Sequence, residues 1–212
     1  MLEEALDVHR EDLGDRNGRA NAPDSVVMAL TSASYDSPVA RELTRALHAE
    51  QMGLYSRADD PEATQPAEFT SPQGAFFVVT GPGGTAMACG GWRTAAQATA
   101  EIKRMYVTPA ARGQGLGRQI LAALESDARR HGMTQVILET GVANTAALAL
   151  YASCGYTPTA SYAAGRDPHI NRALRKLLAA EPADEGWPFQ EWAAIPPVSR
   201  SPHERGPNRP YS

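Results

Sequence analysis

Between Tyr106 and Ala123 the chain leaves an apolar-edged strand at Val107 and crosses the breaker Thr108-Pro109. It then runs through Arg112-Gly113-Gln114-Gly115-Leu116-Gly117 into a long amphipathic helix. No other stretch constrains the fold as much, because strand, glycine-rich turn and helix in that order build an anion site. The first N–H groups of a helix lack internal acceptors and lie at the positive end of its dipole, which suits a phosphate or pyrophosphate. Two nucleotide-binding patterns fail on spacing. A mononucleotide P-loop needs Gly-Lys-Ser/Thr after four intervening residues, and Gly117 is followed instead by Arg118-Gln119. A dinucleotide fingerprint needs G-x-G-x-x-G, whereas these glycines are spaced by twos and Arg118 stands where the third belongs.

The 212 residues, 42% of them hydrophobic, suit one domain of ordinary size with a tail. A net charge of −4 gives no global attraction for nucleic acid or an anionic membrane, and neither is expected as a partner. Cys89 and Cys154 lack metal-type spacing and read as reduced thiols. His48, His131 and His169 show no ligand or triad spacing, so no metal site is expected. The opening Met1-Leu2-Glu3-Glu4-Ala5-Leu6 is acidic, without an apolar run, and no stretch has spanning length; a soluble cytoplasmic protein is the expectation.

Three segments follow from composition: a charged 1–22, flexible or briefly helical; a domain over 23–180; and a tail over 181–212. The tail carries seven prolines between Pro182 and Pro210, with Trp187, Phe189 and Trp192 as candidates to dock on the domain or a second subunit. Within the domain, strands are predicted at Ser25–Ser32, Gly74–Thr80, Thr85–Arg93, Thr99–Val107, Gln135–Thr140 and from Gly155 to Ser161. Helices are predicted from Pro38 to about Arg57 with Ser37 as N-cap, after the glycine turn up to His131-Gly132, and at Asn144–Ser153. Gly81-Pro82-Gly83-Gly84 marks a hairpin turn, and Ile170–Leu178 reads equally as strand or helix.

Four blocks in order carry a family resemblance: Glu101 to Val107; Arg112 to Gly117, matching Arg/Gln-x-x-Gly-x-Gly/Ala; Leu138-Glu139-Thr140; and Asn144 with Leu150-Tyr151 and Gly155-Tyr156. Over roughly Ser25 to Leu178 the chain resembles the GNAT N-acetyltransferases. The resemblance implies an α+β fold: a mixed, mostly antiparallel sheet of six or seven strands with helices on both faces, splayed between its two central strands. It implies acetyl-CoA as cosubstrate and an amine acceptor. The N–H groups of Arg112, Gly113, Gln114, Gly115, Leu116 and Gly117 would wrap the pyrophosphate, with charge added by Arg112 and Arg118. The peptide-like pantetheine arm would pair with the edge of Met105, Tyr106 and Val107, and an N–H near Tyr106 would polarise the thioester carbonyl.

By the same resemblance Tyr151 is the general acid for the leaving thiolate. Glu101, eleven residues before Arg112, is one candidate base, and Glu139 is a second. Asn144 would bond the pantetheine arm or hold its helix start. Structural readings stand beside each: Tyr151 in the core, Glu101 paired with Lys103 or Arg104, Glu139 bonded to backbone at the splay. A small-molecule, amino-acid-like amine is the expected acceptor, met by loops that carry Arg57, Arg166, Asp167 and His169. A homodimer is compatible with the family. Two alternatives stay open, another acyl-CoA as donor and a non-catalytic CoA-sensing or partner-binding protein.

Overall fold

The computed structural model describes residues 28–163, 166–167 and 169–179. The expected segments 1–22 and 181–212, with Trp187, Phe189 and Trp192, lie outside the described residues, as does the 25–27 part of the first strand. Seven strands form one sheet: β1 Ala29–Ser32, β2 Gly74–Thr80, β3 Ala86–Ala96, β4 Thr99–Val107, β5 Gln135–Gly141, β6 Thr157–Pro158 and β7 Asn171–Leu177. Their spatial order is β1-β2-β3-β4-β5-β7-β6, and every neighbouring pair is antiparallel except β4 with β5. Three α-helices accompany the sheet among the described residues: α1 Pro38–Tyr55, α2 Leu116–Arg130 and α3 Thr145–Ser153. The expected α+β architecture is thus observed, with seven strands among the described residues.

Local chemistry sets the boundaries. Ser37 caps α1 by accepting from the Ala40 N–H at 3.4 Å, with Pro38 in the first turn, and Ser56 ends the helix in the left-handed region at φ 55°. Asn144 caps α3 by accepting from the Ala147 N–H at 3.2 Å. The strand expected from Gly155 to Ser161 shrinks to two exposed residues, because Pro158 offers no N–H and, among the described residues, nothing lies beyond this outermost strand to pair with it. The ambiguous Ile170–Leu178 is β7, inserted antiparallel between β5 and β6.

Helices cover both faces. On one, α2 buries Leu116, Ile120, Leu121, Leu124 and Ala128 against Val79, Trp92, Ile102 and Leu138. Each large side chain there contributes about 1.5–3 kcal/mol, an upper estimate because the unfolded chain already hides some of that surface. The Trp92 indole donates to Asp127 Oδ2 at 2.7 Å, so this deeply buried N–H is satisfied. On the other face α1 packs Ala40, Leu43 and Leu47 beside Tyr35, Phe69, Phe76, Val78 and Tyr106.

The parallel pair at the centre is short. β4 meets β5 only at Thr99, Ala100 and Glu101, opposite Gln135, Val136 and Ile137. Beyond them β4 stays paired with β3 as far as Val107, and β5 stays paired with β7 as far as Gly141. A bulge lies at the parting: Gly91 faces Lys103 but Cys89 faces Tyr106, leaving Arg104 and Met105 opposite Gly90 alone. Arg104 takes φ 59°, a cost of about 1–2 kcal/mol for a residue with a side chain. Its guanidinium offsets that by donating to the Asp59 carbonyl at 3.0 Å, the Asp60 carbonyl at 3.2 Å and Thr64 Oγ1 at 2.8 Å. The bulge and the loop before β2 hold each other in place.

Candidate active site

Where β4 and β5 part, a cleft of about 420 Å³ opens. The end of β4, the glycine turn, the start of α2, the end of β5, α3 and one side of α1 form its walls. Of the catalytic and cofactor-binding candidates named from sequence, all line it except Gln114 and Glu101: Met105, Tyr106, Val107, Arg112, Gly113, Gly115, Leu116, Gly117, Arg118, Glu139, Asn144 and Tyr151. Gln114 folds back and donates from Nε2 to the Ala110 carbonyl at 3.4 Å.

The turn itself leaves several main-chain donors open. Ala111 and Arg112 donate their N–H groups to Thr108 and Pro109 carbonyls, and Arg118 and Gln119 donate theirs to Gly115. Between them, the N–H groups of Gly113, Gln114, Gly115, Leu116 and Gly117 have no backbone acceptor among the described residues. Gly113 and Gly115 have φ of 79° and 80°, a left-handed conformation that L side chains rarely adopt, and this reversal turns successive N–H groups toward one point. Arg112, whose own N–H is occupied, reaches back with Nε to the Val107 carbonyl at 3.1 Å and with Nη2 to Glu50 Oε2 at 2.5 Å. Glu50, on α1, also lines the cleft. Arg118 lies against the end of α3, donating to Ser153 Oγ at 2.8 Å and Cys154 Sγ at 3.3 Å.

Tyr151 projects from α3 at the same cleft, nearly buried and packed edge-on to Tyr156 at 5.6 Å between ring centroids. Burial pushes its phenol well above the ordinary tyrosine range, with a smaller push from Cys154, so it stays protonated. The edge of β4 that faces the parting has no strand partner from Ile102 to Val107 among the described residues, which leaves main-chain groups there for an extended ligand.

The cleft continues on the α1 side of the sheet into a cavity of about 220 Å³, and that into an open basin of about 890 Å³. Glu139 and Lys103 line both the cleft and the smaller cavity, while Glu101 lines the smaller cavity and the basin but not the cleft. The charges along this route are interlocked. Glu101, 6% exposed, takes Arg93 at 2.7 Å, Lys103 at 3.5 Å and the Tyr162 hydroxyl at 3.2 Å. Glu139 accepts from Ser161 Oγ at 2.7 Å; its Oε2 faces Arg166 Nε at 3.2 Å without hydrogen-bond alignment and has no other partner among the described residues. Arg166 also grips Asp59 at 2.6 Å, a bond that lowers the Asp59 carboxyl below its usual range. Burial, helped by the charges of Glu101 and Glu139, pushes the Tyr162 hydroxyl far up. Arg93 binds Glu68 as well as Glu101, and the two carboxylates outweigh its burial and raise its pKa.

Tyr151, Glu139 and the glycine turn, all singled out from sequence, meet at one cleft, and Glu101 lies one cavity away. Glu50, Tyr55, Lys103, Arg104 and Tyr162 belong to these walls too, although their places in the sequence did not single them out. The carboxyl half of α1 carried the available signal, since Glu50, Gln51 and Tyr55 are its polar positions nearest the region where a substrate would enter.

Among the described residues no group of three His, Cys, Asp or Glu side chains could hold a metal ion, and no helix is long and apolar enough to cross a membrane. The acetyltransferase (GNAT) family model matches residues 41–156, from α1 to the end of α3 and just beyond. An IAA acetyltransferase of Azospirillum brasilense is 36% identical over 94 residues, 43% of this chain; the match spans only 61% of that relative. The uncharacterised N-acetyltransferase YjgM of Escherichia coli K12 is 30% identical over 167 residues, covering 74% of this chain and 96% of the relative. A crystal structure from Klebsiella pneumoniae, of a protein inferred to be an acyl-CoA N-acyltransferase, superposes with a TM-score of 0.62 at 30% identity over 72% of this chain and 98% of that one. With the parted central strands and the glycine turn already in view, these matches establish that the chain belongs to the GNAT family of acetyltransferases.

Proposed function

We propose that the protein transfers the acetyl group of acetyl-CoA to a primary amine of a small, amino-acid-like molecule, by direct attack in a ternary complex. The observation that carries this reading is the run of five open N–H groups from Gly113 to Gly117 at a cleft that Tyr151 and Glu139 also line. The open N–H groups and Arg112 take the pyrophosphate, with Arg118 beside them. The unpaired edge of Met105, Tyr106 and Val107 takes the pantetheine arm and offers an N–H to the thioester oxygen. Asn144 serves this arrangement by fixing the start of α3, and Leu116 and Gln114 by completing the turn.

In the reaction the amine nitrogen attacks the thioester carbonyl, the carbon–sulfur bond breaks, and the sulfur leaves with its electron pair. Tyr151, held neutral by burial, gives its proton to that thiolate. Glu139 is the better placed of the two carboxylates to receive the amine's proton, because it borders both the cleft and the adjoining cavity and its Oε2 has unfilled hydrogen-bonding capacity. Glu101, which borders the adjoining cavity and not the cleft and is gripped by Arg93, Lys103 and Tyr162, orients the acceptor side. A cytoplasmic site of action, where acyl-CoA donors are at hand, belongs to the same reading.

The test is to mix the protein with acetyl-CoA and an amine panel while following free thiol, and to titrate CoA by calorimetry. Thiol release that depends on an acceptor supports the reading. Bound CoA without turnover on any amine would leave only a CoA-binding protein, and absence of both would remove the reading altogether.

A further inference from the structure

We infer that the acceptor carries a carboxylate beside its amine and that Arg57 and the Tyr55 hydroxyl receive it; this deepens, and rests on, the transferase reading above. The first observation is charge. Among the described cations lining the small cavity and the basin, Arg93 binds Glu68 and Glu101, Lys103 binds Glu101, and Arg166 binds Asp59 and Glu139. Arg104 commits its guanidinium to two carbonyls and Thr64. Among these cations Arg57 alone has no hydrogen bond or ion pair with the described residues, yet it lines both spaces. The left-handed turn at Ser56 ends α1 and sends the chain across the cavity wall at that point.

The second observation is independent of charge. The Tyr55 hydroxyl is buried without a partner, a state that costs about 1–3 kcal/mol unless something fills it. It lies directly over Gly141, where any Cβ would collide with it, and its residue lines the small cavity. Glu139 and Gly141 are two apart on β5 and so share a face, about 6.6 Å from one another along the strand. A carboxylate-accepting end, Tyr55 with Arg57, thus stands one strand repeat from an ammonium-accepting end, Glu139, on the route into the cleft. Tyr55, Arg57 and Glu139 all border the same small cavity, so one compact molecule can present its carboxylate to the first two and its amine to the third. The cavity's 220 Å³, room for about seven waters, suits its compact backbone, and the adjoining basin leaves space for a side chain.

The experiment uses matched pairs of acceptors that differ only in the carboxylate: alanine and ethylamine, leucine and isoamylamine, phenylalanine and phenethylamine. With the full chain and acetyl-CoA, each amino acid is expected to exceed its decarboxylated partner in kcat/KM. Arg57→Ala should lower that ratio by about tenfold or more, the scale of a lost charge-assisted hydrogen bond. Tyr55→Phe, which keeps the ring over Gly141, should lower it by about threefold or more. Calorimetric titration of the CoA complex with the same pairs reads recognition without turnover, so the preference is measured even if the protein binds CoA and transfers nothing. Wild type preferring the decarboxylated amines, or variants that leave the ratio unchanged, would overturn the inference while leaving the transferase reading standing.

Discussion

Replacing Glu50 by Gln should tighten coenzyme A binding, the opposite of what removing a contact at a binding site usually does. Arg112 Nη2 is held by Glu50 Oε2 at 2.5 Å, and both side chains line the cleft at the turn that offers five open N–H groups. A pyrophosphate arriving there must share Arg112 with this carboxylate or draw it away, and must approach a like charge while doing so. The pair is substantially exposed, 49% for Arg112 and 34% for Glu50, so the grip is worth about 0.2–1 kcal/mol after solvent screening. Residual repulsion between Glu50 and the phosphates is of similar size and is also screened by salt. Relief of the two together predicts a gain of about 0.4–2 kcal/mol, roughly a two- to thirtyfold lower Kd for CoA. Calorimetry at low and at physiological salt measures it, with the advantage of the variant shrinking as salt rises. Arg112→Ala should move Kd the other way. If Glu50→Gln weakens binding, Glu50 orients Arg112 for the phosphates instead of competing with them, and the reasoning fails.

Tyr151→Phe should lower kcat by about a hundredfold or more while changing the Kd for CoA less than about threefold, because in the proposed mechanism the lost group acts on the leaving sulfur and not on the pyrophosphate; equal losses in pre-steady-state acetyl transfer and in binding would make the residue structural. Burial raises the pKa of Tyr151 and Tyr156, so both contribute stability that is fully present below about pH 10, their unfolded value, and lost as pH rises above it. Urea unfolding should show ΔG falling increasingly steeply as pH rises above about 10, because the unfolded chain releases protons that these two residues keep in the folded one, and phenolate absorbance should appear for them only as the chain unfolds. Gly115→Ala forces a side chain into φ 80° at a cost of about 1–2 kcal/mol. Its expected outcome is a weaker CoA complex together with a modestly lower Tm; full CoA affinity would mean that the turn geometry is not what holds the anion.

Sharp punctuation made much of the fold legible. β2 and β4 lie where their flanking glycines, prolines and turn residues predict, and Asn144 is the cap at the start of α3. The glycine turn was legible because its chemistry is local: the N–H groups it exposes belong to consecutive residues. The bulge in β4 was not. Strict alternation would put Ile102 and Tyr106 on one face, yet Ile102 packs in the α2 core and Tyr106 in the α1 core, since the extra residue at Arg104 shifts the pattern between them. A buried Arg at the shift reads as a solvent-facing strand residue until the loop that satisfies it is folded against it. For the same reason β7, with Arg172, Arg175 and Lys176 among its seven residues, gave no clear alternation; only Ala173 and Leu174 are buried. Glu101 and Glu139 could not be ranked from sequence, because their difference lies in which cavity each borders.

The three-residue contact between β4 and β5 means that the ligand site is an unfinished piece of sheet. Elsewhere in the molecule, extending a ladder by two or three residue pairs would strengthen the fold; here it would zip the cleft shut. Substitutions that straighten the bulge, such as Arg104→Val, therefore put stability and ligand access in opposition. Conversely, CoA bound along that edge, as proposed above, would supply bonds the sheet lacks, and its binding energy would add to the fold as RT ln(1 + [L]/Kd). Protection of amides from Ile102 to Val107 against hydrogen exchange on adding CoA would show the ligand acting as the missing length of strand.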